Sequence, residues 1–275
     1  MGYVDLQLPT NPFDALAQSY DQVFTESPIG QAQRSAVWAE LEKAFQPGDR
    51  VVEIGCGTGV DACFLAERGV SVLGCDTSPA MIQVARQRVR QRAKYFASAS
   101  VELGTWPAER IATVALGRDF DGAFSNFGVL NCLQDLRRFA RRLATRLKPR
   151  AKVLVCLMGP CCLWEIAWFL AHGQPRRALR RFQRGGTTAE FRDGSKVHVY
   201  YPGVTSLAGR FAPEFRLHAI KGIGICVPPS YMASFINRFP HIIDFAERAD
   251  RLLASCPALR LVGDHMLVTF ERTIS

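Results

Sequence analysis

Apolar residues in this chain recur with two different periods. Short runs such as "VVEI" at 51–54, "VSVLGCD" at 70–76, "SVELG" at 100–104, "FDGAFSNFG" at 120–128 and "KVLVCLM" at 152–158 have the length and β-branched content of buried strands. Between them the spacing lengthens to three and four residues, which predicts helices. One helix covers 61–68. A second covers 78–93, with Ser78 as N-cap and Pro79 at its first position. A third covers 135–147, where Leu136, Phe139, Ala140, Leu143 and Leu147 share one face. Ahead of the first strand, "DALAQSYDQVF" (14–24) and "RSAVWAELEKAF" (34–45) read as a helical prelude, closed by the turn "QPGDR".

The pattern changes beyond residue 158. "LWEIAWFLA" (163–171) and "PRRALRRFQR" (175–184) are helical, and "KVHVYY" (196–201) alternates like an exposed strand. "FRLHAIKGIGICV" (215–227) and "HMLVTFER" (265–272) supply two further strands, with helices near 229–237 and 241–254 between them. Strands alternating with helices predict a sheet covered on both faces. The expected fold is therefore α/β: a doubly wound, seven-stranded mixed sheet with a helical N-terminal prelude and an inserted α/β cap. The expected division is 1–46 for the prelude, 47–158 for the core, 159–209 for the cap and 210–275 for the return to the core sheet.

The stretch "RVVEIGCGTGVDACFLAERGVSVLGCDTSP" at 50–79 joins a strand, a glycine-rich turn, a helix start and a second strand ending in Asp76. Glycines let a ligand approach the backbone, and a helix start offers free N–H groups. A dinucleotide fingerprint needs G-x-G-x-x-G. Here the glycines are Gly55, Gly57 and Gly59, Val60 stands where the third would fall, and no P-loop lysine follows. An acid, Glu53, precedes the turn.

"VEIGCGTG" with "CDTSPAM" resembles the class I S-adenosylmethionine-dependent methyltransferases, and the resemblance extends over most of the chain. It implies that the segment Glu53, Gly55, Cys56 and Gly57 holds the methionine end of S-adenosylmethionine, and that Asp76, followed by Thr77, meets the ribose. "LAQSYDQVF" is similar to a helix that closes over the cofactor, with Tyr20 as the contact. "FDGAFSNFGVLNCLQDL" and "LKPRAKVLVCLMGP" look like the family's fourth strand and its turn into the fifth. "GDHMLVTFER" looks like its last strand, which inserts antiparallel. Asp61, Asn126 and Phe127 join the cofactor candidates by position, although Asp61 also suits a helix N-terminus, Asn126 a structural role, and Met81 the core. The family's acid after strand three has no clear counterpart: "ELGTWPAE" offers Glu102, Gly104 and Trp106 around the adenine.

The net charge of +9 is concentrated. Residues 137–184 hold 13 Lys and Arg against the single acid Glu165. A solvated face, a basic amphipathic helix at 175–184 on a membrane or amphiphile, and a nucleic-acid surface compete to explain it. Nucleic acid is disfavoured, because no separate RNA-binding module is visible. The run 153–171 is apolar but broken by Gly159-Pro160, so it reads as a buried strand rather than a membrane span. The start has no secretory signal pattern, and Leu6 departs from the myristoylation motif after Gly2. Nine cysteines without a CxxC pair read as reduced, mostly buried thiols, which points to the cytoplasm.

Methyl transfer from a sulfonium depends on holding the acceptor in line with the methyl carbon. An oxygen or carbon acceptor also needs a base. His198, Tyr200 and His265 are the candidates, with His241, Tyr201 and Asp264 behind them. The N-P-P-Y tetrad of amino-group enzymes is replaced by "SNFG", and no metal-ligand pattern appears. The expectation is methylation of O, N or C on a small, partly apolar metabolite. The alternatives are an RNA methyltransferase and a cofactor-binding sensor or partner subunit without catalysis.

Overall fold

A computed structural model describes residues 11–96, 98–114, 119–191, 194–236, 238 and 240–274. Gly2 and Leu6, on which the myristoylation reading turns, lie outside the described residues, as does Asn237 at the end of the helix expected near 229–237. After a 3-10 turn, Asp14–Leu16, and a π turn, Asp21–Thr25, the chain forms α1 (Pro28–Ala44). Then come β1 (Arg50–Ile54), α2 (Val60–Ala66), β2 (Ser71–Asp76), α3 (Pro79–Arg92), β3 (Val101–Thr105), α4 (Ile111–Val114), β4 (Phe120–Ser125), α5 (Leu136–Ala144) and β5 (Leu147–Leu157). The cap region holds α6 (Leu163–Ala171), α7 (Pro175–Ala178), β6 (Thr187–Glu190) and β7 (Lys196–Val199). The chain closes with α8 (Val204–Phe211), β8 (Phe215–Ile223), α9 (Ala233–Ile236), α10 (Pro240–Leu253) and β9 (His265–Arg272).

The main sheet has seven strands in the order β3-β2-β1-β4-β5-β9-β8, and β6 and β7 pair separately. The five strands from β3 to β5 run parallel, and β9 inserts antiparallel between β5 and β8. This is the expected doubly wound mixed sheet. Successive strand residues point to opposite faces. Val52, Ile54, Val153, Val155 and Phe270 therefore pack on one side with Phe139 and Leu143 of α5 and Phe211 of α8. Val51, Leu154 and Leu267 pack on the other with Val37 and Leu41 of α1 and Leu65 of α2.

Three local expectations are corrected. The stretch 14–24 is a 3-10 turn and the start of a π turn rather than one α-helix. Pro28 forces Ser27 into extended backbone, ψ 146°, so no helix runs through, and Ser27 instead caps α1 by accepting from Gly30 N–H at 3.0 Å. Leu147 is not the last residue of a helical face but the first of β5, where it is paired with Phe120. The basic segment 175–184 is not one amphipathic helix: it breaks at Leu179 into α7 and a 3-10 turn, Arg180–Phe182.

The cause of that break is a buried ion cluster. Arg180 donates to Glu165 through Nε at 2.6 Å and Nη2 at 3.0 Å. Arg181 donates from Nε to Glu165 Oε2 at 3.0 Å, and its two Nη groups donate to the Asp264 carbonyl at 2.8 Å and carboxylate at 2.9 Å. Arg180 and Arg181 therefore fasten the cap to the start of β9 and are unavailable to a membrane or a nucleic acid. Burial works to raise the Asp264 carboxyl, but His265 and Arg181 outweigh it and hold it below the usual range. Removing one member of a buried ion cluster leaves a charge uncompensated. Glu165→Gln should lower unfolding free energy by about 3 kcal/mol, read as a lower urea midpoint with an unchanged denaturant slope.

Candidate functional site

The turn after β1 is built by three glycines in the left-handed region, Gly55, Gly57 and Gly59, with φ of 73°, 49° and 75°. A Cβ on Gly55 would lie 2.3 Å from Val129 Cγ2 and one on Gly59 3.0 Å from Ala85 Cβ, whereas one on Gly57 would meet nothing within 4 Å. Gly55 and Gly59 are therefore glycine for packing. Gly57 leaves open room on a cavity of about 560 Å³. Asp76, at the end of β2, braces the turn: one carboxylate oxygen accepts from Gly57 N–H at 2.9 Å and the other from Ser78 N–H at 2.9 Å. Burial raises its carboxyl against the pull of those N–H donors. Trp106 N–H donates to the Asp76 carbonyl at 3.0 Å, and its indole covers Gly104 so closely that a Cβ there would sit 2.2 Å from Nε1.

All twelve cofactor candidates line this one cavity: Tyr20, Glu53, Gly55, Cys56, Gly57, Asp61, Asp76, Thr77, Met81, Trp106, Asn126 and Phe127. Asp61 is fully engaged. Its Oδ1 accepts from Arg34 Nη1 at 2.5 Å and Trp38 Nε1 at 2.7 Å, and its Oδ2 from Asn126 Nδ2 at 2.8 Å. It thus aims two neighbours at the cavity. Phe127, just past β4, is a non-glycine residue at φ 51°, a conformation that costs energy and concentrates at functional sites.

Three buried polar atoms along this wall have no partner in the protein: Glu53 Oε2, Asn126 Oδ1 and Arg34 Nε. Each such atom costs about 1–3 kcal/mol unless something fills its valence. Asn126 Oδ1 is an acceptor and Arg34 Nε a donor, which suits the ammonium and carboxylate of an α-amino acid group, and the Glu53 carboxyl lies on the same wall. The open Cβ space at Gly57 and the position of Asp76 at the end of β2 leave room on the cavity for the rest of a methionine nucleoside. Burial raises the Glu53 carboxyl well above its ordinary value, Asp61 adds to the rise, and Arg34 opposes it. Enclosure likewise pushes the Tyr20 phenol up to about 12.

The opposite wall is apolar. The β6–β7 pair turns Ala189, Val197 and Val199 toward the cavity, beside Val129, Leu133 and Met158. Phe13 meets Phe191 edge-on at 5.3 Å, so the N-terminal segment and the cap touch across the cavity, while Asn11 Nδ2 donates to Thr77 Oγ1 at 2.9 Å.

The three base candidates do not line the cavity. Strand alternation explains His198: it lies between Val197 and Val199, so it faces outward, where its Nε2 is 2.6 Å from the Gly185 carbonyl. Tyr200 packs edge-on against His198, and its backbone is clamped by Asn131, which bonds both its N–H and its carbonyl. Asn131 also bonds Met158 twice, so its side chain is occupied in holding the end of β5 to the end of β7. His265 is buried behind Phe127, with the rings edge-on at 5.7 Å. His241 is exposed, Tyr201 Oη lies 3.2 Å from Thr187 Oγ1, and Asp264 belongs to the ion cluster.

Arg34 is the site residue that the motifs did not supply. Its signal was present: a cation on the same face as Val37, Trp38 and Leu41 of an otherwise amphipathic helix. Asn11, Phe13 and Phe191 come from segments with no periodic signal at all.

A parallel sheet with a glycine turn, an acid at the end of the second strand and a cavity at the carboxyl ends of the strands defines a Rossmann-like fold. Residues 52–153 match the methyltransferase domain family. The 2-phytyl-1,4-naphtoquinone methyltransferase of Synechococcus elongatus is 32% identical over 148 residues, 52% of this chain and 60% of that one. The demethylmenaquinone methyltransferase of Corynebacterium kroppenstedtii is 30% identical over 146 residues, 52% of this chain and 57% of that one. The chain thus spans somewhat over half the length of these curated relatives.

Among solved structures, the CcbJ methyltransferase of Streptomyces caelestis superposes with a TM-score of 0.59 at 16% identity, covering 96% of this chain and 99% of that one. The S-adenosylmethionine-dependent methyltransferase of Mesorhizobium loti gives 0.52 at 19% identity, covering 90% and 99%. The [4+2]-cyclase SpnF has the same fold, at 0.58 and 13% identity, covering 96% and 95%. Residues 52–153 are thus similar to a methyltransferase domain, and the chain has the fold of the S-adenosylmethionine-dependent methyltransferase structures it superposes on.

Two outcomes are expected at this site. Asp76→Ala should weaken S-adenosylmethionine binding roughly 10- to 100-fold, the loss of a hydrogen bond to a charged group, measured by calorimetric titration of the folded variant. Glu53 sets a pH dependence. Its folded carboxyl is raised, so above an unfolded value of about 4.3 the unfolded chain releases this proton while the folded chain retains it. Its contribution to stability therefore falls as pH rises, by at most about 1.4 kcal/mol per pH unit. Glu53→Gln should remove that slope, seen as a urea midpoint that changes less between mildly acidic and neutral pH than in the wild type. An identical profile in both would refute the assignment.

Proposed function

We propose that this protein transfers the methyl group of S-adenosylmethionine to a small, largely apolar ring compound of the quinone or quinol class. The observation that carries the reading is the division of one cavity into two walls. One wall is lined by Glu53, Asn126 and Arg34, each with a buried polar atom that has no protein partner; the other is aliphatic and aromatic. A polar or polyanionic acceptor would have to desolvate against the second wall without compensation, whereas an apolar ring would gain from it. The names of the curated relatives, which act on a naphthoquinone and a demethylmenaquinone, support the same acceptor class.

The bound cofactor supplies an electrophilic methyl carbon. The chain's own contribution is placement. Arg34, Glu53 and Asn126 would fix the amino acid end, Asp76 the ribose, and Trp106 the side of the adenosine. The Phe13–Phe191 contact would shield part of the cavity from water. Holding two reactants in one geometry removes much of the entropic barrier to a bimolecular displacement.

The test is incubation of the protein with methyl-labelled S-adenosylmethionine and a reduced 1,4-naphthoquinone bearing an apolar chain, followed by extraction into organic solvent. Label in the extract is the expected result. Cofactor that binds but is never consumed with a panel of quinols would favour the non-catalytic reading, which the cyclase sharing this fold keeps in view. Phe191→Asp should raise the acceptor KM at least tenfold by placing a charge on the apolar wall. It should leave cofactor affinity within a factor of about two, since the polar wall is untouched.

A further inference from the structure

We infer that the outer face of the cap is a docking surface for an anionic phospholipid bilayer. The inference rests on the proposed apolar acceptor, which would be dissolved in such a bilayer. On α6, Glu165 and Phe169 are buried at i and i+4, so the opposite face is turned outward. That face carries Leu163, Ala167 and Leu170, spaced i, i+4 and i+7, with both leucines about half exposed. The chain then returns through α7, and Leu179 and Phe182 are exposed to the same degree, each 52%. Arg180 and Arg181 reach the inward face of α6 at Glu165, so the turn that carries Leu179 and Phe182 is fastened to that helix, with both apolar side chains left exposed.

The charges on this segment have one sign. Arg176, Arg177 and Arg184 are exposed, and among the described residues neither Arg176 nor Arg184 has an ion-pair partner. Arg177 leans over Phe169 at 4.4 Å and donates to Gln174, without a carboxylate. The only acid between 163 and 186 is Glu165, 1% exposed and closed off by Arg180 and Arg181. The segment 163–186 therefore exposes cations and apolar side chains together and no anion, and the exposed acid of β6, Glu190, is paired with Lys196, which is the pattern of an interfacial membrane contact.

Two other occupants fit less well. A second copy meeting this face about a two-fold axis would set arginine against arginine. A nucleic acid would use the cations but leave the leucines without a role. The exposed Ile242, Phe245 and Leu252 of α10 form another apolar stripe, but Asp244, Glu247, Arg248 and Arg251 around it are of mixed sign and select no partner.

Sedimentation with phosphatidylcholine vesicles, with and without phosphatidylglycerol, tests the inference. The intact chain should bind only the anionic vesicles, and less tightly as salt rises. The triple variant Arg176→Glu, Arg177→Glu, Arg184→Glu should bind at least about 100-fold more weakly. Leu170→Ser with Phe182→Ser should also bind more weakly but keep the salt dependence. None of these side chains lines the cavity, so cofactor affinity should stay unchanged in every variant, which confirms folding. Equal binding by the wild type and the charge-reversed variant, no sedimentation of the wild type, or tighter binding to polyuridylate than to the vesicles would each overturn it. Vesicle binding without methyl transfer to any quinol would overturn the acceptor reading alone; methyl transfer without vesicle binding would overturn the docking surface alone.

Discussion

A single buried carboxylate organises the site. Asp61 sits in the first turn of α2, 4% exposed, and accepts from Arg34 of α1, Trp38 of α1 and Asn126 beyond β4. An isolated carboxylate at that depth would be costly, and three donors with one formal positive charge make it tolerable. The same three bonds hold α1 against the sheet at the carboxyl ends of β1 and β4. They leave Arg34 Nε and Asn126 Oδ1 without protein partners beside the cavity. Buried polar atoms without protein partners thus gather at residues that line the cavity, although Thr25, Gln33, Glu214, Arg260 and His265 carry others away from it.

A second buried cluster meets the first through adjacent residues of α1. Gln33 donates to Asp264 Oδ2 at 3.2 Å, and Asp264 takes Arg181 of the cap. Arg34, the next residue, lines the cavity. Neighbouring positions on one helix therefore report to the cap and to the site. His265 completes the arrangement: it lies 3.4 Å from Asp264 and packs on Phe127, the left-handed residue of the cavity wall. Its role is to fill and brace, which is why a histidine attractive in the sequence stands away from the reacting space.

Much of this could be read from residues alone. The parallel core was legible because each strand is a short apolar run and α3 carries its cap in the sequence, Ser78 accepting from Met81 N–H at 3.0 Å. The glycine turn and Asp76 were legible because few arrangements need alternating glycines between two acids. Elements that depend on distant partners were not. Whether 175–184 continues as a helix is decided by Glu165 and Asp264, far away in sequence. Whether Arg34 faces solvent or the cavity is decided by Asp61. Local periodicity contains neither fact. The outward set of His198 was accessible in principle, since the alternation of "KVHVYY" already separates it from Val197 and Val199; what was missing was which face met the cavity.

The basic run from 137 to 184 shows how one compositional feature divides into several physical roles. Arg142 and Arg146 donate to backbone carbonyls of Glu109 and Ala112, tying α5 to the segment that follows β3. Lys148 pairs with Asp121 near the start of β4. Arg180 and Arg181 neutralise Glu165 in the interior. Only after these are assigned does a smaller set remain on the cap, and it is accompanied by leucine and phenylalanine rather than by acids. Net charge alone favoured no partner over another. The charge left after internal pairing, together with the side chains that surround it, does favour one. The proposed apolar acceptor would give the cap a reason to present an apolar, cationic face, because a compound of low solubility in water would be collected where it is concentrated.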